Sequence, residues 1–496
     1  MRFSTSNYQL GKVMGVFFGS TLVFAKNLYS GFPSFFMGDD LGWVTAVQLE
    51  THQVSHSLAS LTAEVSGKWR PLAQFFMGLV IRASGLTPLT YFVASSILLA
   101  LVACVASDLF VRLSKPLSPL ANNICRALLI TAIMCGAPAD LFTFSPFSVM
   151  ELPPALLSLL ALNSYLRVSH SHRTITVQVV FMVWVSALFH ERYLVFVLVV
   201  WILTVLEIFD NSRDSKRLAT AFGLNAGITV AYCCLKTQVI GVPFIAAGGE
   251  SSIEEGLSLL GLFRRLSDGL VAALGSNGVA SIYYWSDGRP LLLHKSLFNE
   301  AIALAIFVFI VFGLFSKSSK SISVSESRTR RATECSDRWV VIAIGIASLI
   351  PGITVVSRIE ARWLFLSWIL FLVLAVASSV SISPRVSIAL LLVAGIASAN
   401  PSFTRAYRDI HQTQTDRLIE RVERVSETWI EPQEHWDLSY INRRISGYWD
   451  TQNSILFQRI NRPPSGISLG QIRCDAPKCL LVIQYPNDTD VIRLQS

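Results

Sequence analysis

Charge is what this chain has least of. Asp, Glu, Lys and Arg make up 15% of its 496 residues, where a soluble globular domain carries about a quarter. That deficit excludes an ordinary soluble fold of this size, which needs charged side chains to clothe its surface. A hydrophobic share of 52% and a mean hydropathy of +0.51 agree. No small-residue cleavage site follows the first apolar stretch, Val13 to Phe24, so that stretch reads as a span and not as a removable signal. No Cys or His spacing suits zinc or haem. No convincing repeat of the first half recurs in the second, which argues against the paired-repeat plan of many transporters.

What the sequence does have is apolar runs at regular intervals. About 20 apolar residues cross a hydrocarbon core of about 30 Å, and there the backbone must satisfy itself as helix. Spans are expected at 10–29, 88–111, 124–138, 150–166, 174–190, 192–209, 218–240, 298–316, 339–357, 361–380 and 385–400. The expected fold is an all-α polytopic membrane protein of about 11 transmembrane helices over residues 1–400. A small α+β extracytoplasmic domain follows at 401–496.

The net charge of +8 invites a nucleic-acid reading, but the basic residues fall on alternate loops, and no nucleic-acid partner is expected. One side holds Arg112, Lys115 and Arg126, then Arg167 and Arg173, then Arg213, Lys216 and Arg217. It also holds Lys317, Lys320, Arg328, Arg330, Arg331 and Arg338, and finally Arg385. By the positive-inside rule that side is cytoplasmic. Arg2 and Lys12 put the N-terminus with it, and an odd span count puts the segment after Asn400 outside.

Three regions then project outward: 30–87, 241–297 and the tail. In the tail, Leu418, Ile419, Val422, Val425 and Trp429 recur at helical spacing, and Cys479 to Tyr485 reads as a buried strand. Cys474 and Cys479 bracket a turn-like insert. Outside the membrane they suit a disulfide, with two free thiols as the alternative. The other six cysteines read as packing residues. Asn487-Asp488-Thr489 reads as a chance match to a glycosylation sequon.

The chemistry-bearing residues cluster at the expected outer rim. Just beyond span one stand Gly38-Asp39-Asp40. An ionised carboxylate there serves as a general base on a sugar hydroxyl or as a metal ligand; two solvated loop acids are the plain alternative. No cofactor is expected, and a divalent metal on Asp39 and Asp40 is the lesser reading. Lys68-Trp69-Arg70-Pro71-Leu72 precedes an apolar stretch, Phe75 to Ile81, too short to span and suited to an interfacial helix. Trp69 and Arg70 suit stacking on a sugar and hydrogen bonding to sugar or phosphate, or else anchor the interface. Arg358 and Arg362 lie four apart, on one face if helical. They suit phosphate, with Glu360 pairing one of them as the alternative. His190-Glu191-Arg192, Glu151 beside Pro153-Pro154, and the aromatic run Tyr283-Tyr284-Trp285 complete the set. The first of these also suits a tight hairpin and nothing more.

This arrangement resembles the GT-C superfamily of membrane glycosyltransferases, which use sugars carried on a polyprenyl phosphate. The likeness lies in the first outer loop opening with Asp39-Asp40, the short helix after Trp69-Arg70-Pro71, the many spans and the outer tail. Within that superfamily, Gly38-Asp39-Asp40 followed by Lys68-Trp69-Arg70-Pro71-Leu72 is most similar to bacterial O-antigen-modifying glucosyltransferases of the serotype-converting kind. It covers about the first 170 residues in pattern and the rest in topology. Lys68-Trp69 stands where a glycine often precedes the Arg-Pro.

The resemblance implies an inverting hexosyltransferase of the bacterial inner membrane. Asp39 or Asp40 deprotonates the acceptor hydroxyl, and Arg358 and Arg362 hold the donor phosphate. Trp69, Arg70, Glu151, His190, Glu191, Arg192, Tyr284 and Trp285 contact substrate. Its partners are a polyprenyl-phosphate sugar, a glycan or lipid-linked acceptor, and the bilayer. The competing reading is a transporter or flippase of lipid-linked saccharides; a non-catalytic scaffold is a third.

Overall fold

A computed structural model describes residues 5–30, 69–84, 88–136, 139, 142–143, 148–167, 175–209, 215–242, 259–275, 283–286, 289–290, 297–315, 324–353, 358–399, 479–484 and 489–494. The described chain is mostly helical. In order, its helices are α1 Thr5–Tyr29, α2 Pro71–Ser84, α3 Pro88–Leu113, α4 Pro119–Cys135, α5 Ser148–Arg167, α6 Val177–Phe189 and α7 Leu194–Phe209. There follow α8 Ser215–Cys234, α9 Leu259–Gly275, α10 Leu297–Phe315, α11 Val324–Ile353, α12 Phe365–Ser379 and α13 Pro384–Ala399.

Among the described residues, four helical stretches are long and apolar enough to cross a membrane: Leu89–Leu113, Ser148–Arg167, Lys216–Val239 and Arg362–Ser379. The 26 residues of α3 rise about 39 Å, more than a hydrocarbon core requires. Pro119–Cys135, Val177–Phe189, Ala303–Gly313 and Pro384–Ile396 are shorter apolar helices. Large apolar side chains face outward along several helices, among them Phe17, Phe181, Val230 and Leu304. A lipid-facing surface takes such residues without cost.

Several sequence expectations shift. Helix α4 begins at Pro119, five residues before the expected start, because Ser118 caps it by accepting from Ala121 N–H at 3.3 Å and Pro119 occupies its first turn. Helix α9 occupies part of the region read as an outer loop. Helix α11 begins at Val324, inside the stretch read as a basic loop. Tyr283–Ser286 (β1), Arg289–Pro290 (β2) and Arg358–Glu360 (β3) form a sheet of order β2-β1-β3. Arg358 therefore lies in a strand and Arg362 in the 3-10 turn Ala361–Leu364, so the condition for a shared face, a helix over 358–362, is not met. In the tail, Cys479–Gln484 (β4) and Thr489–Leu494 (β5) pair as an antiparallel hairpin; the expected helix at 418–429 and Cys474 lie outside the described residues.

Helix α12 is buried along its whole length, from Phe365 to Ser379. It packs against α3, α9, α10, α11 and α13, which makes it the axis of the bundle. At the edge, α1 lies along α4 on a row of glycines. A Cβ on Gly11 would stand 2.9 Å from the Asn123 backbone, on Gly15 2.8 Å from Ile130 Cβ, and on Gly19 2.7 Å from Met134 Sδ. Small residues spaced by four let two backbones approach this closely.

One end of the bundle is closed by arginines. Arg112 donates to Leu166 O at 3.1 Å, and Arg338 to Gly313 O at 2.7 Å and Leu113 O at 3.2 Å. The last turns of α3, α5 and α10 thus share one end, and each cation meets the carbonyls that a helix C-terminus leaves open. Arg126, counted with the loop cations although the expected span 124–138 includes it, is fully buried in α4, 2.6 Å from Asp108, which also takes Lys12 at 2.8 Å.

Gly15→Leu is expected to destabilise the protein by about 1–3 kcal/mol through overpacking against α4, read as a lower thermal midpoint in detergent. Gly223→Ala, where a Cβ meets nothing within 4 Å, should leave the midpoint unchanged or raise it slightly.

Candidate functional site

The end of α5 opposite Leu166 carries Glu151 in its first turn, where the helix dipole favours an acid. Pro153 and Pro154 follow near the helix start, where the N–H groups they lack would serve only the carbonyls of Val149 and Met150. Ser186 donates to Pro154 O at 3.2 Å and Tyr193 to Glu151 O at 3.4 Å. The Glu151 carboxylate pairs with Arg192 Nη2, their side chains 5% and 15% exposed.

Arg192 is aimed by its neighbours. Helix α6 ends at His190 in extended conformation, and a 3-10 turn, Glu191–Tyr193, leads into α7. His190 Nδ1 accepts from Arg192 N at 3.2 Å and from its Nε at 3.5 Å. That role requires the neutral ring with its proton on Nε2. Beyond the ion pair, the Arg192 guanidinium lies 5.3 Å from the centroid of the Trp363 ring, a cation–π distance.

Glu191 points to a different set of partners. Its Oε1 accepts from Trp69 N–H at 3.2 Å and from Lys236 Nζ at 3.3 Å, and its Oε2 stands 3.7 Å from Arg70 Nε. Lys236 sits in a π turn, Leu235–Val239, that ends α8. Ile240 N–H reaches back five residues to Leu235 O at 2.9 Å, and Gly241, at φ +78°, takes the left-handed conformation that lets the chain leave. The extra residue in the turn swings Lys236 inward, where it is fully buried. Beneath it lies an aromatic layer. Tyr232 packs 5.5 Å from Trp69 and 5.4 Å from Trp184 between ring centroids, and Lys236 Nζ is 5.8 Å above the Tyr232 ring.

Arg70 is the least satisfied member. It precedes Pro71, so its backbone is held extended, and its carbonyl accepts from Gln74 N–H at 3.0 Å to start α2. Among the described residues its Nη1 reaches only the Met150 sulfur, at 3.2 Å, a weak acceptor. Among the described residues its Nε has no hydrogen-bond acceptor, since 3.7 Å to Glu191 is an ion pair only. Burial pushes its guanidinium below the ordinary arginine pKa; Glu191 opposes that shift, Arg192 adds to it, Glu151 opposes and Arg362 adds.

Trp69, Arg70, Glu151, His190, Glu191, Arg192 and Arg362 thus gather from separate segments at one end of the bundle. Arg358, Tyr284 and Trp285 come near them through backbone pairing. Trp285 stands opposite Ile359 in the register of β1 and β3, and Ser286 opposite Arg358, with β3 running straight into the turn that carries Arg362 and Trp363. Asp39 and Asp40, and any metal on them, lie outside the described residues. Lys236 and Tyr232 were missed from the sequence. The signal was there, a lysine near the end of an otherwise apolar span, but a span read by hydropathy passes over it.

Glu151→Leu alone should cost about 3–5 kcal/mol by stranding Arg192, seen as a fall in thermal midpoint in detergent. Adding Arg192→Leu should recover most of the loss; an unmoved midpoint in the single variant would show that the pair carries no weight.

Protein-family models, curated proteins and solved structures yield no match to this chain, so the functional reading rests on the chemistry of this cluster and on the motif resemblance.

Proposed function

We propose that the chain is an inverting membrane glycosyltransferase. It moves a glucose-like hexose from a polyprenyl-phosphate donor to a glycan or lipid-linked acceptor at the outer face of a bacterial inner membrane. About eleven spans carry it, with the N-terminus cytoplasmic and residues 401–496 periplasmic. The observation that carries the reading is Arg70. A part-buried guanidinium close to Arg192 and Arg362, engaging only a thioether and a long ion pair among the described residues, suits an oxyanion arriving from outside the protein.

In this reading Asp39 or Asp40 takes the proton from the acceptor hydroxyl as its oxygen attacks the anomeric carbon. The bond from that carbon to the phosphate oxygen breaks, its electron pair leaves with the phosphate, and the configuration inverts. Arg70, Arg362 and Arg358 face the charge developing on the phosphate, and fixed donors of this kind supply a large share of transition-state stabilisation. Tyr284 and Trp285 suit stacking on sugar rings, whereas Trp69, buried against Tyr232, lines the floor of the site. The direction of the site agrees with the positive-inside rule, since Arg112 and Arg338 lie at the opposite end of the bundle.

Membranes supplied with radiolabelled polyprenyl-phosphate hexose should transfer label. Asp39→Asn or Asp40→Asn, at normal expression, should lower transfer by about a hundredfold or more. Arg70→Lys keeps the charge but loses the fork and should cost about tenfold. Wild-type membranes that transfer nothing from any common lipid-linked hexose, or carboxamide variants that both stay fully active, would sink the proposal. Translocation of lipid-linked saccharide across vesicles without transfer would put the flippase reading in its place.

A further inference from the structure

If Arg70 is to meet an oxyanion, something must keep its donors from being consumed by the protein. Glu191 is the nearest carboxylate among the described residues, and a guanidinium this close to a part-buried acid would ordinarily close into a bidentate fork. It does not: the separation is 3.7 Å. The same carboxylate is drawn the other way by the main-chain N–H of Trp69 at 3.2 Å and by Lys236 at 3.3 Å. Lys236 has no freedom to follow Arg70, since it is fully buried in the π turn.

We infer that Glu191 is a positioning residue for Arg70 and that Lys236 is the counter-charge holding the Glu191–Arg70 contact open. Glu191 acts through the segment it grips. By accepting from Trp69 N–H it fixes the residue before Arg70, while Pro71 and the first turn of α2 fix the residue after. The guanidinium is thereby presented from a set direction, with its charge partly balanced and its hydrogen-bonding capacity left for substrate. The inference rests on the glycosyltransferase reading, which supplies the oxyanion, but the grip on residues 69–70 is observable without it.

Two variants of the full-length protein, in detergent and in membranes, separate the parts. Glu191→Asp keeps the charge and withdraws the carboxylate by one methylene. Hydrogen exchange in the peptide 69–84 should quicken about tenfold, as expected for a weakened charge-assisted hydrogen bond, while exchange in α12 stays as it was. Transfer from polyprenyl-phosphate hexose should lose about a hundredfold in kcat, the scale of a misplacement of about 1 Å, with donor KM within about twofold. Lys236→Met frees Glu191 to close on Arg70. It should raise donor KM about tenfold with little change in kcat, and exchange in 69–84 should not quicken.

Unchanged exchange in Glu191→Asp would overturn the grip. Quickened exchange with kcat and KM both at wild-type values would reduce Glu191 to a structural residue. A wild type that transfers nothing would instead defeat the glycosyltransferase reading, and the positioning role with it, while the exchange result on the same sample still decides whether Glu191 holds Trp69.

Discussion

A charge drawn into an apolar helical bundle must replace its lost water with an opposite charge or with oriented dipoles, and the two ends of this bundle meet that requirement differently. At one end, Arg112 and Arg338 lie against carbonyls at the C-termini of α3, α5 and α10. These cations serve the helices: each satisfies backbone groups that would otherwise face apolar surroundings. At the other end the cations meet acids. Glu151 takes Arg192, and Glu191 stands among Trp69, Arg70 and Lys236. There the compensation involves side chains from separate segments, so the loops that carry them are tied to one another.

That tie depends on a rigid frame. The wholly buried α12 fixes the neighbouring helices around one axis, and the turn that precedes it carries Arg362 and Trp363 toward Arg192. The glycine row of α1 draws that helix onto α4 so closely that even a methyl group would press on Ile130 or Met134. Backbone contact at this range leaves little room for the helix ends to drift. Groups at the ends are consequently presented at set positions, which is what chemistry between a carboxylate, a hydroxyl and a phosphate demands.

Within the cluster, two glutamates forty residues apart in sequence play unlike parts. Glu151 is nearly sealed and, among the described residues, holds a single close side-chain partner. Glu191 distributes its charge over three donors, none of them closer than 3.2 Å. A distributed carboxylate of that kind steadies several groups without saturating any one, and Arg70 retains capacity as a result. The aromatic layer of Trp69, Tyr232 and Trp184 beneath keeps the surroundings apolar, which strengthens whatever charge interaction forms above it.

Much of this was legible in the chain itself. Hydropathy placed helices along the long apolar runs, though it read the interval of α9 as an outer loop, and the scarcity of charge made Trp69-Arg70, Glu151, His190-Glu191-Arg192 and Arg362 stand out as residues with no cheap reason to be there. Turn chemistry at Ser118-Pro119 was also readable, although the apolar run drew attention to a later start. Only the tertiary structure decided who pairs with whom. Arg126 was counted as a loop cation and proved to be buried against Asp108. Arg358 and Arg362 would share a face only if their segment were helical, and they lie in a strand and a 3-10 turn. Lys236 was hidden by the hydropathy of its span. The reason is common to all three: hydropathy and periodicity report what a residue's own segment prefers, whereas the partner of a buried charge comes from another segment, brought near by packing that local sequence does not encode.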